Sequence, residues 1–333
     1  MTTTGPSNDP QHRHPISGKT QTQFVTPPPH THPVDLSGLA TPDQVAAAIA
    51  AHEAKYHAVT PTPPNPPDTT VTVKTKADLL AALANNELDL TWGGGAVSGP
   101  FIISDPAIAA RTVPGVIRGL LVDGGGGINT ATLYHHNGVH DLEWLDTKFA
   151  NGVIKNTGVL MFDGGDEPPC YNIAIRRCTI YGNVTRNDPV GTHDHGCYFS
   201  DSRGGSHDIT IEDLNVDASG PMGLATGVQT DHADNGLVNA SKVIVRRLVF
   251  KGNGTQGASV QYPILLFTPA VSDWLIDGAT ISAANGYPVR YESQGGKNNV
   301  FRNVVATGSR YKGVETTQPG VTGFVDGGGN SFQ

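Results

Sequence analysis

The segment GTHDHGCYFSDS, residues 191–202, places His193, Asp194, His195, Tyr198 and Asp201 close together in the chain. Imidazoles and carboxylates in one place can move protons. A group of carboxylates can also hold a hard cation such as calcium. Two further acids, Asp231 and Glu292, fall at related positions of a repeat described below. Asp194, Asp201, Asp231 and Glu292 are therefore the candidate catalytic set, and the three aspartates are also a candidate calcium cluster. Spacing decides whether such acids can cleave a glycosidic bond. Inversion needs carboxyls about 6.5–9.5 Å apart and retention about 5–5.5 Å.

The scaffold that must hold these residues is a repeat. The motif apolar-x-apolar-x-x-apolar-x-apolar occurs as Ile173-Ile175-Cys178-Ile180, Ile209-Ile211-Leu214-Val216, Val243-Val245-Leu248-Phe250 and Trp274-Ile276-Ala279-Ile281. Degenerate copies are His140-Leu142-Leu145-Thr147 and Asn299-Phe301-Val304-Ala306. The starts at 140, 173, 209, 243, 274 and 299 lie 25 to 36 residues apart. Alternating apolar residues make strands. Repeated at this period, with Gly and Asn at the turns and no helical pattern between, they make a stacked solenoid. Propeller blades need four strands in about 40 residues, which leaves no room for these loops. The pattern predicts an all-β, right-handed parallel β-helix.

A further strand precedes each motif. Aligning GVLMFDG (158–164), GCYFSDS (196–202), GVQTDHA (227–233), PILLFTP (263–269) and PVRYES (288–293) predicts two inward ladders, because side chains alternate along a strand. One is Val159, Cys197, Val228, Ile264, Val289; the other is Met161, Phe199, Thr230, Leu266, Tyr291. The outward rows are then Leu160, Tyr198, Gln229, Leu265, Arg290 and Phe162, Ser200, Asp231, Phe267, Glu292. Tyr198, Gln229, Arg290, Phe162 and Phe267 form a face suited to stacking on sugar rings and bonding their hydroxyls. His193 and His195 are ligand contacts at its edge. The same face would also serve as a subunit interface. Coils are about 4.8 Å apart, so Asp231 and Glu292, two coils apart, lie near the inverting range.

Composition agrees with a β-solenoid. Apolar residues are 37% of the chain, charged residues 16%, and there are 41 glycines. A net charge of −8 argues against nucleic acid as partner. The N-terminus shows no signal-peptide pattern, and no stretch reaches the 18 apolar residues of a membrane span. Three cysteines, Cys170, Cys178 and Cys197, make no complete disulfide set.

Proline and glycine are segregated. Residues 1–70 hold 13 of the 24 prolines and 3 of the 41 glycines. This divides the chain into an extended attachment arm (1–33), a short trimerising helix (34–59), a proline-rich linker (60–70) and the β-helix (71–333). Thr41 and Pro42 suit a helix start. Val45, Ile49, His52, Tyr56 and Val59 then form a heptad seam. Just before it, His30 and His32 share one side of an extended strand. In a trimer three such pairs supply six imidazoles, a candidate site for a divalent transition metal.

With this repeat and the opening TKADLLAALAN, a helix of roughly Lys76 to Ala84, residues 71–333 resemble the pectate-lyase-like right-handed β-helix superfamily. The resemblance implies that this helix caps the first coil. HGCYFSDS resembles a strand of its carbohydrate-active members. Residues 30–59, HTHPVDLSGLATPDQVAAAIAAHEAKYHAV, resemble the N-terminal regions of tailed-phage minor tail and fibre proteins. Together these imply a phage tail spike or tail-tip protein of the virion, partnered by other tail proteins and a host cell-surface polysaccharide. The superfamily holds lyases, hydrolases, epimerases and pure binders, so it implies no single chemistry. Three functions follow from the sequence: binding a host glycan, depolymerising it, or a purely structural tail role. The small number of coils favours binding or structure.

Overall fold

The computed structural model describes residues 70–333 except 125–130, 152, 155–156, 163–167, 182–184, 187–193, 201–204, 221–222, 231–237, 255–259, 267–270 and 317–318, and, as to side chains, 153–154 and 185–186. The arm, the trimerising helix, His30 and His32 lie outside the described residues, as do Asp201, Asp231, Phe267 and His193. All but the last residue of the linker does too.

The chain passes in turn through three parallel sheets and repeats the circuit. The first sheet has ten strands: Val71–Val73, Asp89–Trp92, Gly115–Arg118, His140–Leu145, Tyr171–Arg176, His207–Glu212, Ser241–Arg246, Leu275–Asp277, Asn299–Arg302 and Phe324–Asp326. The second has eight, from Leu121–Asp123 to Ser331–Phe332. The third has eight: Phe101–Ile103, Leu133–His135, Thr157–Phe162, Asp194–Phe199, Thr226–Thr230, Ile264–Leu266, Val289–Tyr291 and Val314–Glu315. This is a parallel β-helix.

The repeat motif spans the first sheet, a corner and the second sheet. Ile173 lies opposite Ile209 and Ile209 opposite Val243. Val245 lies opposite Ile276 and Ile276 opposite Phe301, as the repeat requires. The copy near residue 140 is displaced by two. Leu142 and Trp144 face Ile173 and Ile175, so that copy reads Leu142-Trp144-Thr147-Phe149. A further coil precedes it, with Ile117 opposite Trp144 and Val122 opposite Phe149. These apolar residues join one buried core.

The two residues at each corner of the motif explain its x-x gap. The second of them takes a left-handed conformation in coil after coil: Gly119 at φ 73°, Asp146 at 55°, Arg177 at 50°, Asp213 at 54°, Arg247 at 52°, Gly278 at 78° and Asn303 at 54°. That conformation turns the chain sharply but is disfavoured for a side chain with a Cβ. The occupants compensate by bonding along the stack. Arg177 holds Asp146 through Nε at 2.9 Å and Nη2 at 3.0 Å. Arg247 grips Asp213 in the same way, at 2.6 and 2.8 Å.

Helix α1, Lys76–Ala84, stands between the first two strands of the first sheet. Thr75 accepts the Asp78 N–H at 3.1 Å as N-cap. Leu79, Ala82 and Leu83 point into the same core as Leu90.

The third sheet corrects one alignment. Leu160 lies opposite Cys197 and Phe162 opposite Phe199, one residue away from the sequence register. A slip of one residue exchanges the faces of a strand. Phe162 is therefore a core residue and not a ligand contact. Its ring stacks on His135 at 4.9 Å and on Phe199 at 4.7 Å. Leu160 joins it inside, while Met161 faces outward. The strands from Asp194 onward keep the predicted register: Cys197, Val228, Ile264 and Val289 form one ladder.

Candidate ligand-binding face

The outward row of the third sheet reads Ile102, Tyr134, Met161, Tyr198, Gln229, Leu265, Arg290 and Glu315, one residue per coil. Its first half carries rings. Tyr134 stacks on His136 at 4.7 Å, and Tyr198 stacks on His195 at 4.8 Å. His195 is fixed by a 3.0 Å contact between Nδ1 and the Thr226 hydroxyl. Tyr198 and Met161 are half-buried, whereas Asp194, His195 and Gln229 are buried. Stacked rings at partial exposure keep one edge available to a ligand at low entropic cost.

Gln229 stands out in this row. It is 4% exposed, and its Oε1 has no hydrogen-bond partner. A buried acceptor left unmade costs about 1–3 kcal/mol. Such an atom in a folded protein calls for a water or a ligand. It adjoins Tyr198 on one side and Leu265 on the other.

The far half of the row is ionic. Glu292 Oε1 accepts from Arg290 Nε at 2.7 Å and Nη2 at 2.5 Å. Glu315 approaches the same Nε at 3.3 Å, and the guanidinium lies 4.9 Å from the centre of the Tyr262 ring. Burial is the largest influence on Arg290 and works against its charge, but the bond to Glu292 and the electrostatic pull of Glu292, Tyr262 and Glu315 together hold the guanidinium above its ordinary pKa. Burial also keeps the Tyr262 hydroxyl protonated, raising its pKa. Arg290 and Glu292 are thus each other's partners. The ligand contact and the acid read separately from the sequence form one ion pair.

Of the four predicted acids only Asp194 and Glu292 are among the described residues, and these two do not form a pair. Asp194 opens one third-sheet strand and Glu292 directly follows another, Val289–Tyr291, with two strands between them, Thr226–Thr230 and Ile264–Leu266. Three strand steps are about 14 Å, beyond either glycosidase spacing. Asp201 and Asp231 are outside the described residues, and among those described no group of three or more His, Cys, Asp or Glu is placed to hold a metal ion.

The first sheet carries a row of ion pairs at one end. Along the end of the first sheet, Arg176 pairs with Glu143 at 2.9 Å and Glu212 at 3.2 Å. Arg247 reaches Glu212 at 2.7 Å, and Arg302 reaches Asp277 at 2.7 Å. The first sheet also carries a ring stack, Tyr171 on His140 at 4.4 Å and on His207 at 5.4 Å, but the third sheet joins rings to a buried acceptor and an ionic end.

Sequence reasoning missed Tyr134, His136, Met161, Tyr262 and Glu315 on this face. Tyr134 and His136 belong to a coil outside the aligned set. Met161 was assigned to the core by the slipped register. Glu315 lies in a two-residue strand too short to show alternation, and it reaches Arg290 through strand pairing; Tyr262, before the strand Ile264–Leu266, meets Arg290 through its ring face.

No known protein family and no curated protein matches the chain. Among solved structures, an alginate lyase from Paenibacillus sp. str. FPU-7 is similar at 15% identity over 78% of this chain and 98% of that one, with a TM-score of 0.38. The catalytic unit of a thermostable GH87 α-1,3-glucanase from Streptomyces thermodiastaticus strain HF3-3 is similar at 13% identity over 82% of this chain and 71% of that one, with a TM-score of 0.27. Likenesses this low carry no inference about activity. Among the described residues, no helix is long and apolar enough to cross a membrane.

Proposed function

We propose that this chain is a component of a phage tail that binds a host cell-surface glycan along the outward face of its third sheet. One observation carries the glycan-binding reading: Gln229 presents a buried, unpartnered carbonyl oxygen beside the half-buried ring of Tyr198. A sugar offers a hydroxyl donor for the oxygen and an apolar ring face for the aromatic. The tail assignment is supported by the composition of residues 1–70 and by the resemblance of residues 30–59 to phage tail proteins. The reading includes three copies joined through residues 34–59, with His30 and His32 as the site for a divalent metal between them.

A second reading, cleavage of the glycan, draws on the Tyr262, Arg290, Glu292 and Glu315 cluster. It holds two carboxylates and a protonated phenol together on one sheet. We favour binding, because both carboxylates face the same guanidinium and so are committed to it.

The test uses the full chain with envelope polysaccharide from bacterial hosts. Retention on the polysaccharide without release of soluble oligosaccharides is the expected result. Release that disappears in Glu292→Gln establishes cleavage instead. Neither retention nor release from any host leaves only a structural tail role.

A further inference from the structure

We propose that Tyr287, Tyr311, Arg310 and Lys312 form a subsite for an anionic group carried by the glycan. The inference rests on the glycan-binding reading and extends its surface past Arg290. Val289 pairs with Val314, so Tyr287 and Tyr311 lie on neighbouring coils just before the last two strands of the third sheet. Their rings stack at 4.9 Å, and the Arg310 guanidinium lies 5.2 Å from the Tyr311 ring centre. Tyr311 is 41% exposed. The Tyr311 N–H also donates to Gly286 O at 3.2 Å, which fixes the backbone beneath the pair.

Arg310 is unlike most of the described arginines. Arg118, Arg176, Arg177, Arg247, Arg290 and Arg302 each meet a carboxylate of this chain. The exposed side chains of Arg310 and Lys312 make no ion pair or hydrogen bond with any described residue. A guanidinium held against a ring, with its N–H fork unspent, is pre-organised for a planar or tetrahedral oxyanion. The ammonium of Lys312, two residues along, adds a second positive charge. The chain as a whole carries −8, so the attraction here is local and not a property of the net charge. The chemistry shared by the possible ligands is an anionic substituent on a sugar: a uronate carboxylate, a sulfate or a phosphate.

The test titrates the full chain with hexuronate, sulfated and phosphorylated oligosaccharides, each beside its neutral counterpart: the methyl ester, the desulfated form and the dephosphorylated form. One anionic class should bind at least about tenfold more tightly than its counterpart, the worth of one charge-assisted bond. Arg310→Gln should abolish that difference without shifting the melting temperature. The class that shows the preference identifies the anion. Equal affinity for charged and neutral forms, or a preference that survives Arg310→Gln, overturns the subsite while leaving glycan binding intact. Failure to bind any of these sugars or any envelope polysaccharide overturns both readings together.

Discussion

Trp144 donates its indole N–H to His135 Nε2 at 2.7 Å in the middle of the core. The other ring nitrogen, Nδ1, then carries the proton and faces the Met161 carbonyl at 3.3 Å. The histidine continues the stack of Phe162 and Phe199 as a neutral ring. Burial drives its pKa down to about 4, with the Met161 bond opposing only in part.

This fixes a pH dependence. An unfolded histidine titrates near 6.5. Between pH 6.5 and 4 the unfolded chain takes up a proton that the folded chain refuses, so stability falls as pH falls through that window. The loss approaches about 3 kcal/mol at the lower end. Urea denaturation of the wild type and His135→Gln at both ends of the window checks it. The variant should be less stable at pH 7 and show a shallower decline, and parallel declines would contradict the assignment.

Register can be tested by two adjacent truncations. Phe162→Ala should cost about 3–5 kcal/mol, because it empties a site between two stacked rings. Met161→Ala, on the half-buried outward face, should cost less than about 1.5 kcal/mol. Chemical denaturation of the two variants reads the difference, and the opposite order would restore the register expected from sequence.

The ionic end of the face should behave as a unit. Arg290→Gln leaves Glu292 buried without its partner, at a cost of about 3–5 kcal/mol. Adding Glu292→Gln should recover much of that loss, because the uncompensated charge goes with it. Additive losses in the double-mutant cycle would show that the two residues do not depend on each other.

Gln261 braces the turn regions before the third sheet. Its Nε2 donates to Ala218 O at 3.2 Å and Leu224 O at 2.9 Å, and its Oε1 accepts from Asn253 N at 2.9 Å and Asn285 N at 3.4 Å. Gln261→Ala strands four buried backbone groups and should cost about 3 kcal/mol or more. Hydrogen exchange should show lost protection at Asn253 and Asn285.

The fold was legible because its core repeats. From residue 173 onward every copy of the motif could be placed by apolar spacing, and the strands pair in that register. The signal failed where alternation failed. Val159-Leu160-Met161-Phe162 is apolar on both faces, so period two could not say which side was inside. His140 mimicked the start of a motif copy two residues early. On the candidate face, Tyr198, Gln229, Arg290 and Glu292 were found from the strand pattern. Their relationships were not: Arg290 and Glu292 stand two residues apart, but residue type and alternation do not say that they bond each other, and the neighbours of Gln229, Tyr198 and Leu265, lie on other coils.

The central claim turns on Gln229, and Gln229→Leu isolates it. The substitution keeps the volume near that of glutamine and removes the unpartnered buried acceptor, so the folded chain should be as stable as the wild type or more so. Binding should suffer, because the glycan donor would then face a methyl group. The deciding measurement is the affinity of the full wild-type and Gln229→Leu chains for an envelope polysaccharide that the wild type retains. A loss of at least about tenfold with an undiminished melting temperature is the predicted result. Unchanged affinity would contradict the account and move the glycan off the third sheet.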